Sequence, residues 1–354
     1  MTAYAELYRQ LWEQSGVEEL QQTLPADVEE LIARLGLDSS NPLAYTDLSA
    51  GQVASLVNEL LSQQGAAPRQ SFGVLLGIVL LTALLGGLEG GAVSPLQRTF
   101  HSVGVLGAVS VVLLPLVALV QTVSETAERV TVFLSAYVPL YAAVLVSSGR
   151  GLGAVSYQTT LLGAGHLLSA FIGRGVLPLL TVSLSLGCIG AVAEGFSLES
   201  ISRTFYKGVL WGLGLFSTVF SGLLSIQQMV AAAADSLGSR LVRFSLSGMV
   251  PVVGGLLSEA YNTVVGCAGL LRTTVGAFGL LAVVLMVAPP LVRCICWQVV
   301  LSLGGGAADL FDLPPLAKVC RTAVGAVQVL EAVLAAYGLM MIVATAAVAS
   351  AAGR

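Results

Sequence analysis

Glu259 and Asn262, a carboxylate and an amide three positions apart in an apolar stretch, are the residues of this chain best placed to do chemistry. On a helix that spacing puts them on one face with Gly255, Ser258 and Gly266, opposite Val253, Leu257, Tyr261, Val264 and Leu271. An ionised Glu259 buried without a partner would cost several kcal/mol, so it needs a counter-charge, water or a proton. Two uses follow: the pair lines a conduit, or it makes hydrogen bonds between helices. His166, inside an apolar run, is a second candidate, as a buried polar contact or a proton or ion site. Asp235 is a third. With Gln227, Gln228, Arg240 and Arg243 it surrounds Ala231-Ala232-Ala233-Ala234, a pattern expected of a polar or interfacial helix. Pro251, Gly254 and Gly255 then mark a helix break just ahead of Glu259.

Beyond these the sequence offers little chemistry. No Gly-x-x-x-x-Gly-Lys-Ser/Thr loop is present, so energy from nucleotide hydrolysis would come from a partner. The two histidines, His101 and His166, are too few for a metal site, and His101 sits beside Arg98 at a membrane edge. Five cysteines are an odd number, and Cys294-Ile295-Cys296 has one spacer residue and no nearby histidine. They read as small apolar packing residues. With no nucleophile and base set the chain reads as no enzyme, with no catalytic, cofactor or metal site expected. A formal net charge of -4 excludes a basic nucleic-acid binder.

The elements that position these residues follow from composition. The 354 residues are 56% hydrophobic and 10% charged, against roughly 25% charged in a soluble domain. Residues 1–69 hold ten acidic and three basic side chains, whereas 70–354 hold ten acidic and thirteen basic ones. The expectation is an all-α polytopic membrane protein of six to eight spans over 70–354, preceded by a small acidic amphipathic helical region over 1–69. That first region shows three helical stripes: Tyr4 to Trp12, Val28 to Leu35, and Val53 to Leu61. Ser49 with Gln52 announces a capping box for the third, and Gly65 can close it. Their apolar stripes need cover from the membrane domain, a partner or a lipid surface.

Apolar runs lie at about 72–88, 102–123, 131–148, 152–172, 176–193, 209–226, 249–271, 274–300 and 324–349. The run 152–172, which contains Gln158 and His166, and the interlude at about 227–272 are candidates for re-entrant or buried segments. Glycines four apart, such as Gly149 with Gly153 and Gly208 with Gly212, argue for a tightly packed bundle. If the acidic region is outside the cytoplasm, Arg98, Arg150 and the pair Arg203 and Lys207 fall inside, and a loop with Glu125, Glu128 and Arg129 falls outside. Lys318 and Arg321 fall outside unless a later segment fails to cross. No basic stretch leading an apolar core opens the chain. Either the first span directs insertion or a leader has been removed, in which case residues 1–69 face the space between two membranes.

The segment Ser225-Ile226-Gln227-Gln228 to Asp235, with Pro251-Val252-Val253-Gly254-Gly255 and Ser258-Glu259-Ala260-Tyr261-Asn262, resembles the stage III sporulation protein AE family. The likeness covers most of the chain and is most specific over 220–285. It implies an integral subunit, in the mother-cell membrane around the forespore, of a secretion-like channel complex of endospore formers, in a structural or permease-like role. The partners it implies are membrane lipids, an ATPase, small membrane subunits, ring proteins and further copies of this chain. The family has no established catalytic residues, so no site is carried over. The alternative from the residues themselves is a stand-alone secondary transporter, with broken helices near 251–262 and 158–166 forming a small-solute site.

Overall fold

A computed structural model describes residues 12, 16–17, 20, 24–37, 49–87, 95–192, 199–249 and 254–350; side chains at 86–87, 95–101, 191–192, 199–201, 237–249, 254–265 and 350 are not described. Among the described residues the elements are helices: α1 (Ala26–Arg34), α2 (Ala50–Gln64), α3 (Ala66–Gly87), α4 (Pro95–Ser147), α5 (Gly151–Phe171), α6 (Leu177–Val192), α7 (Glu199–Met249), α8 (Gly254–Leu310) and α9 (Pro314–Ser350). One π turn, Ile172–Val176, joins α5 to α6. It falls on Gly173-Arg174-Gly175, just before Pro178, where a wider turn relieves the clash between a proline ring and the preceding turn.

Local signals set the helix ends. Ser49 caps α2, accepting from the Gln52 N–H while the Gln52 side chain accepts from the Ser49 N–H at 3.0 Å, so the expected capping box forms. Gln52 also donates its Nε2 to the Leu35 carbonyl at 2.8 Å, which fastens α2 to the end of α1. Gly65 closes α2 as its C-cap, as expected, and α3 begins at the next residue, Ala66. The end of α4 is a Schellman turn, in which Gly149 (φ +79°) and Arg150 donate to Val146 and Leu145 and the left-handed position falls to glycine. The same turn joins α8 to α9, with Asp312 (φ 52°) in the place a glycine usually takes.

Among the described residues six helical segments are long and apolar enough to cross a membrane: 66–85, 102–147, 151–190, 202–236, 266–310 and 314–349. Nine apolar runs therefore become six segments. The expected loop around Glu125, Glu128 and Arg129 is a correction, because α4 continues through it. The Ser-Glu-Thr-Ala-Glu-Arg sequence holds neither glycine nor proline, and the Thr126 hydroxyl donates to the Thr122 carbonyl at 2.8 Å within the same helix. The 158–166 stretch is likewise unbroken helix inside α5, and α7 runs as helix through 227–249. Pro251 lies outside the described residues, Gly254 and Gly255 open α8, and α8 then continues past 272 without interruption.

Continuous helices also reassign the basic residues. Ser148, just past α4, and Tyr137 within it meet Ala268 and Val275 of α8, so these helices run antiparallel. Arg98 and Arg150 accordingly stand at opposite ends of α4, not on one side as expected. Arg203 and Lys207 of α7 share a notch with Arg321 of α9, so Lys318 and Arg321 belong to the end that carries Arg203 and Lys207. We call this the hairpin end, after the α8–α9 turn, and the other the Asp235 end.

The core is one cluster running through the bundle and including the N-terminal residues Trp12, Val17, Leu20, Val28 and Ile32. Val28 and Ile32 of α1 and Leu56 and Leu60 of α2 are buried where these helices contact α8, whereas Val53, Val57 and Leu61 of the α2 stripe stay exposed, and the first stripe lies outside the described residues except for Trp12. Asp27 of α1 meets Arg129 of α4 at 3.5 Å, and Gly16 lies 3.5 Å from Leu140 once a Cβ is drawn on it. At 53 residues α4 is about 80 Å long, whereas one hydrocarbon core is about 30 Å thick. The 22 residues of α3, about 33 Å, cover the half between Gly65, beside Cys296, and the hairpin end, where Leu75 meets Gly304. That half matches one hydrocarbon core in depth.

Candidate functional site

Polar side chains converge at the Asp235 end, around the three residues Ser148 to Arg150 that join α4 to α5 and the first turn of α5. Helix α5 starts without a cap of its own, because Arg150 stands where Ser, Thr, Asp or Asn would supply one. Asp235 of α7 takes over: its two carboxylate oxygens accept from the backbone N–H groups of Leu152 and Gly153, each at 3.0 Å. A carboxylate at a helix N-terminus meets both the unpaired N–H groups and the positive end of the helix dipole.

The same loop reaches two further helices. Arg150 donates from Nη1 to the Val348 carbonyl at 3.2 Å, satisfying the last turn of α9 with a positive charge. The Ser148 hydroxyl lies 3.1 Å from the Ala268 carbonyl of α8 and 2.7 Å from that of Val144 in its own helix. The loop and the first turn of α5, through Ser148, Arg150, Leu152 and Gly153, thus tie α4 and α5 to α7, α8 and α9. Next along α7, buried Gln228 donates to the Gly153 carbonyl at 3.2 Å, and Gln227 accepts a short hydrogen bond from Thr160 of α5. Arg150 is half-buried, and that burial, with Arg272 pushing the same way, lowers its pKa from the ordinary value while Asp235 opposes the shift. The guanidinium stays charged, since arginine does not lose its proton in proteins.

Below this seam an aromatic ladder descends into the core. Phe133, Tyr137 and Tyr141 stack along one face of α4 with centroids 5.5 Å apart at each step, and Tyr157 of α5 meets Tyr141 edge-on at 5.0 Å. Tyr137 donates to the Val275 carbonyl at 3.2 Å. Gly276 and Gly279 of α8 make room for the ladder: a Cβ at Gly276 would lie 2.9 Å from the Tyr141 hydroxyl, and one at Gly279 would overlap the Tyr137 ring. The Tyr157 hydroxyl is buried without a hydrogen-bond partner among the described residues.

The predicted site residues are not brought together. Asp235 is in the seam. His166 sits exposed on the outer face of α5, while Gly165 beside it packs against Leu134 and Met340. Glu259 and Asn262 fall on the first turns of α8, where side chains are not described. Thr160 and the Leu152 and Gly153 N–H groups, which the sequence did not single out, complete the seam together with Gln228, expected only in a polar helix, and Arg150, expected only as a loop charge. One signal was available: a helix start at Gly151 with no local cap implies that one arrives from elsewhere.

The glycine pairs also divide. Gly149 serves the turn, Gly153 lies against Asp235 and Gln228, and Gly208 meets open space, whereas the close approaches involve Gly104, Gly187, Gly279, Gly304 and Gly325. All five cysteines are free, four of them buried. Among the described residues no three His, Cys, Asp or Glu side chains gather as a metal site would require. Asp235 accepts from two N–H groups, so the seam holds helices in register.

A family model described as Stage III sporulation protein AE matches residues 43–352. The Stage III sporulation protein AE of Bacillus subtilis (strain 168) is 27% identical over 170 residues, which make up 48% of this chain and 43% of that relative. The match thus spans less than half of the relative's length. No solved structure matches this chain.

Proposed function

This chain belongs to the Stage III sporulation protein AE family, and we propose that it serves as an integral membrane subunit of a secretion-like channel complex between mother cell and forespore. Its place in this reading is the mother-cell membrane around the forespore. Its role is structural or permease-like, alongside an ATPase, small membrane subunits, ring proteins and further copies of itself. The observation that supports it most is the filled centre of the bundle. Tyr137, Tyr157, Leu161, Phe278 and Trp297 are each under 2% exposed along its length. A conduit then runs between subunits, and this chain supplies a stiff wall whose helices the α4–α5 loop and the first turn of α5 lock at one end.

The test is purification from sporulating cells. The expected result is recovery with the ATPase, small membrane subunits and ring proteins, and no solute flux in liposomes that contain this chain alone. Solute uptake by the isolated chain, abolished by Glu259→Gln, would instead establish a stand-alone transporter and overturn the subunit reading.

A further inference from the structure

Helices α7 and α9 leave the hairpin end side by side, with Tyr206 against Gly325. Each carries a stripe whose chemistry changes along its length. On α7 the stripe is Arg203, Lys207, Leu210, Gly214 and Ser217; on α9 it is Arg321, Gly325, Gln328, Ala332, Ala335 and Leu339. Steps of three and four keep each set on one helix face. The leading residues line a polar notch of about 300 Å³, and the later ones an apolar groove of about 560 Å³ whose floor is Val284, Val287 and Leu291 of α8. Leu210 lines both, so notch and groove are one furrow, basic at its mouth and apolar below.

Size and charge select an occupant. Arg203, Lys207 and Arg321 bring three basic side chains to the mouth, where Arg321 also holds the Asp309 carboxylate. From Ala332 to Ile342 the groove descends ten residues of α9, about 15 Å, which is the depth of one leaflet in a hydrocarbon core of about 30 Å. The walls are kept low by small residues: a Cβ placed on Gly214 or Gly338 meets nothing within 4 Å. Anionic lipid headgroups are held by basic pockets between transmembrane helices through the same combination of fixed charge and apolar cover. We propose that this furrow binds one anionic phospholipid, its phosphate between Arg203, Lys207 and Arg321 and an acyl chain laid in the groove below.

The test is native mass spectrometry of the delipidated full chain in detergent, titrated with phosphatidylglycerol and, separately, phosphatidylcholine. The wild type is expected to retain one phosphatidylglycerol at least tenfold more tightly than phosphatidylcholine. Neutralising the mouth with Arg203→Gln, Lys207→Gln and Arg321→Gln is expected to weaken retention about fivefold per charge, the equivalent of about 1 kcal/mol each. Lys207→Arg should retain the lipid, and Arg174→Gln, on the π turn outside the furrow, should be silent. Gly214→Leu with Gly338→Leu fills the groove without touching the mouth and is expected to reduce retention at least tenfold.

Unchanged retention in the neutralised or the groove-filled chain overturns the proposal. So does displacement of the lipid by millimolar inorganic phosphate, which would assign the mouth to a free anion. A dimer of this chain that dissociates on filling the groove would make a second copy the occupant and overturn it equally. Should the triple substitution fail to give a monodisperse protein, the comparison of Lys207→Gln with Lys207→Arg, together with the groove-filled chain, decides the matter.

Discussion

Replacing Asp235 by alanine removes the cap of α5 without touching α5 itself. The carboxylate accepts two hydrogen bonds at 3.0 Å, one at the exposed Leu152 N–H, where water can substitute, and one at the part-buried Gly153 N–H, where it substitutes less well. Loss of an N-cap acceptor to alanine costs about 0.5–2 kcal/mol, and loss of a negative charge at a helix N-terminus about 0.3–1 kcal/mol more. The sum is about 2 kcal/mol. In a chain of this length each kcal/mol moves the midpoint by about 2 °C at most, so Asp235→Ala is expected to melt about 3–4 °C below wild type in detergent. Hydrogen exchange localises the effect: opening at the Leu152 and Gly153 amides should rise about 30-fold.

Asp235→Asn keeps one acceptor and loses the charge, so it should fall about halfway between wild type and alanine. Gly153→Ala is the control, since its Cβ would rest 3.4 Å from Asp235 Oδ2 and 3.6 Å from Gln228 Oε1, both ordinary contacts. It is expected within about 1 kcal/mol of wild type, the helix propensity gained offsetting any crowding. Should Asp235→Ala leave both the melting midpoint and the exchange of these two amides unchanged, the carboxylate is not the cap and the seam does not hold the helices.

Gly279→Ala drives a methyl group into the Tyr137 ring, which is stacked between Phe133 and Tyr141 and cannot step aside, so a loss of about 1–3 kcal/mol is expected by thermal melting. Gly222→Ala, whose Cβ meets nothing within 4 Å, should instead gain about 0.5–1 kcal/mol in the same assay. Asp312→Gly relieves a left-handed residue in the α8–α9 turn and is expected to raise the midpoint by the equivalent of about 1 kcal/mol. In the N-terminal region, Val28→Ala at a position 1% exposed should cost about 2 kcal/mol. Arg129→Gln, which removes an exposed ion pair to Asp27, should change stability by less than about 1 kcal/mol, and a larger loss would mean that the pair is more sheltered than its geometry indicates.

Much of this architecture is legible in the chain. Apolar runs of membrane length, few charges and abundant glycine lead directly to a helical bundle in lipid, and the Ser49 and Gln52 box appears where its spacing places it. Acidic and basic residues inside α4 misled the topology because a charge is a loop signal only if the chain must leave the bilayer there. A helix about 80 Å long carries Glu125, Glu128 and Arg129 at mid-length without breaking. Once that loop is gone, the basic residues change sides, and Lys318 and Arg321 join Arg203 and Lys207 at the hairpin end.

What residue types and their periods determine by themselves is therefore the apolar solvent of most segments, the helical state, and the capping box at Ser49 and Gln52. Only tertiary structure decides that Asp235 caps a helix 82 residues earlier, that Arg150 closes α9 198 residues later, and that α7 and α9 combine two unremarkable stripes into one furrow. The physical reason is range. Propensity, capping and amphipathic period act within a turn or two, whereas an orphaned N–H, a buried guanidinium or a gap between helices is satisfied by whichever distant segment the packing of the bundle brings within reach.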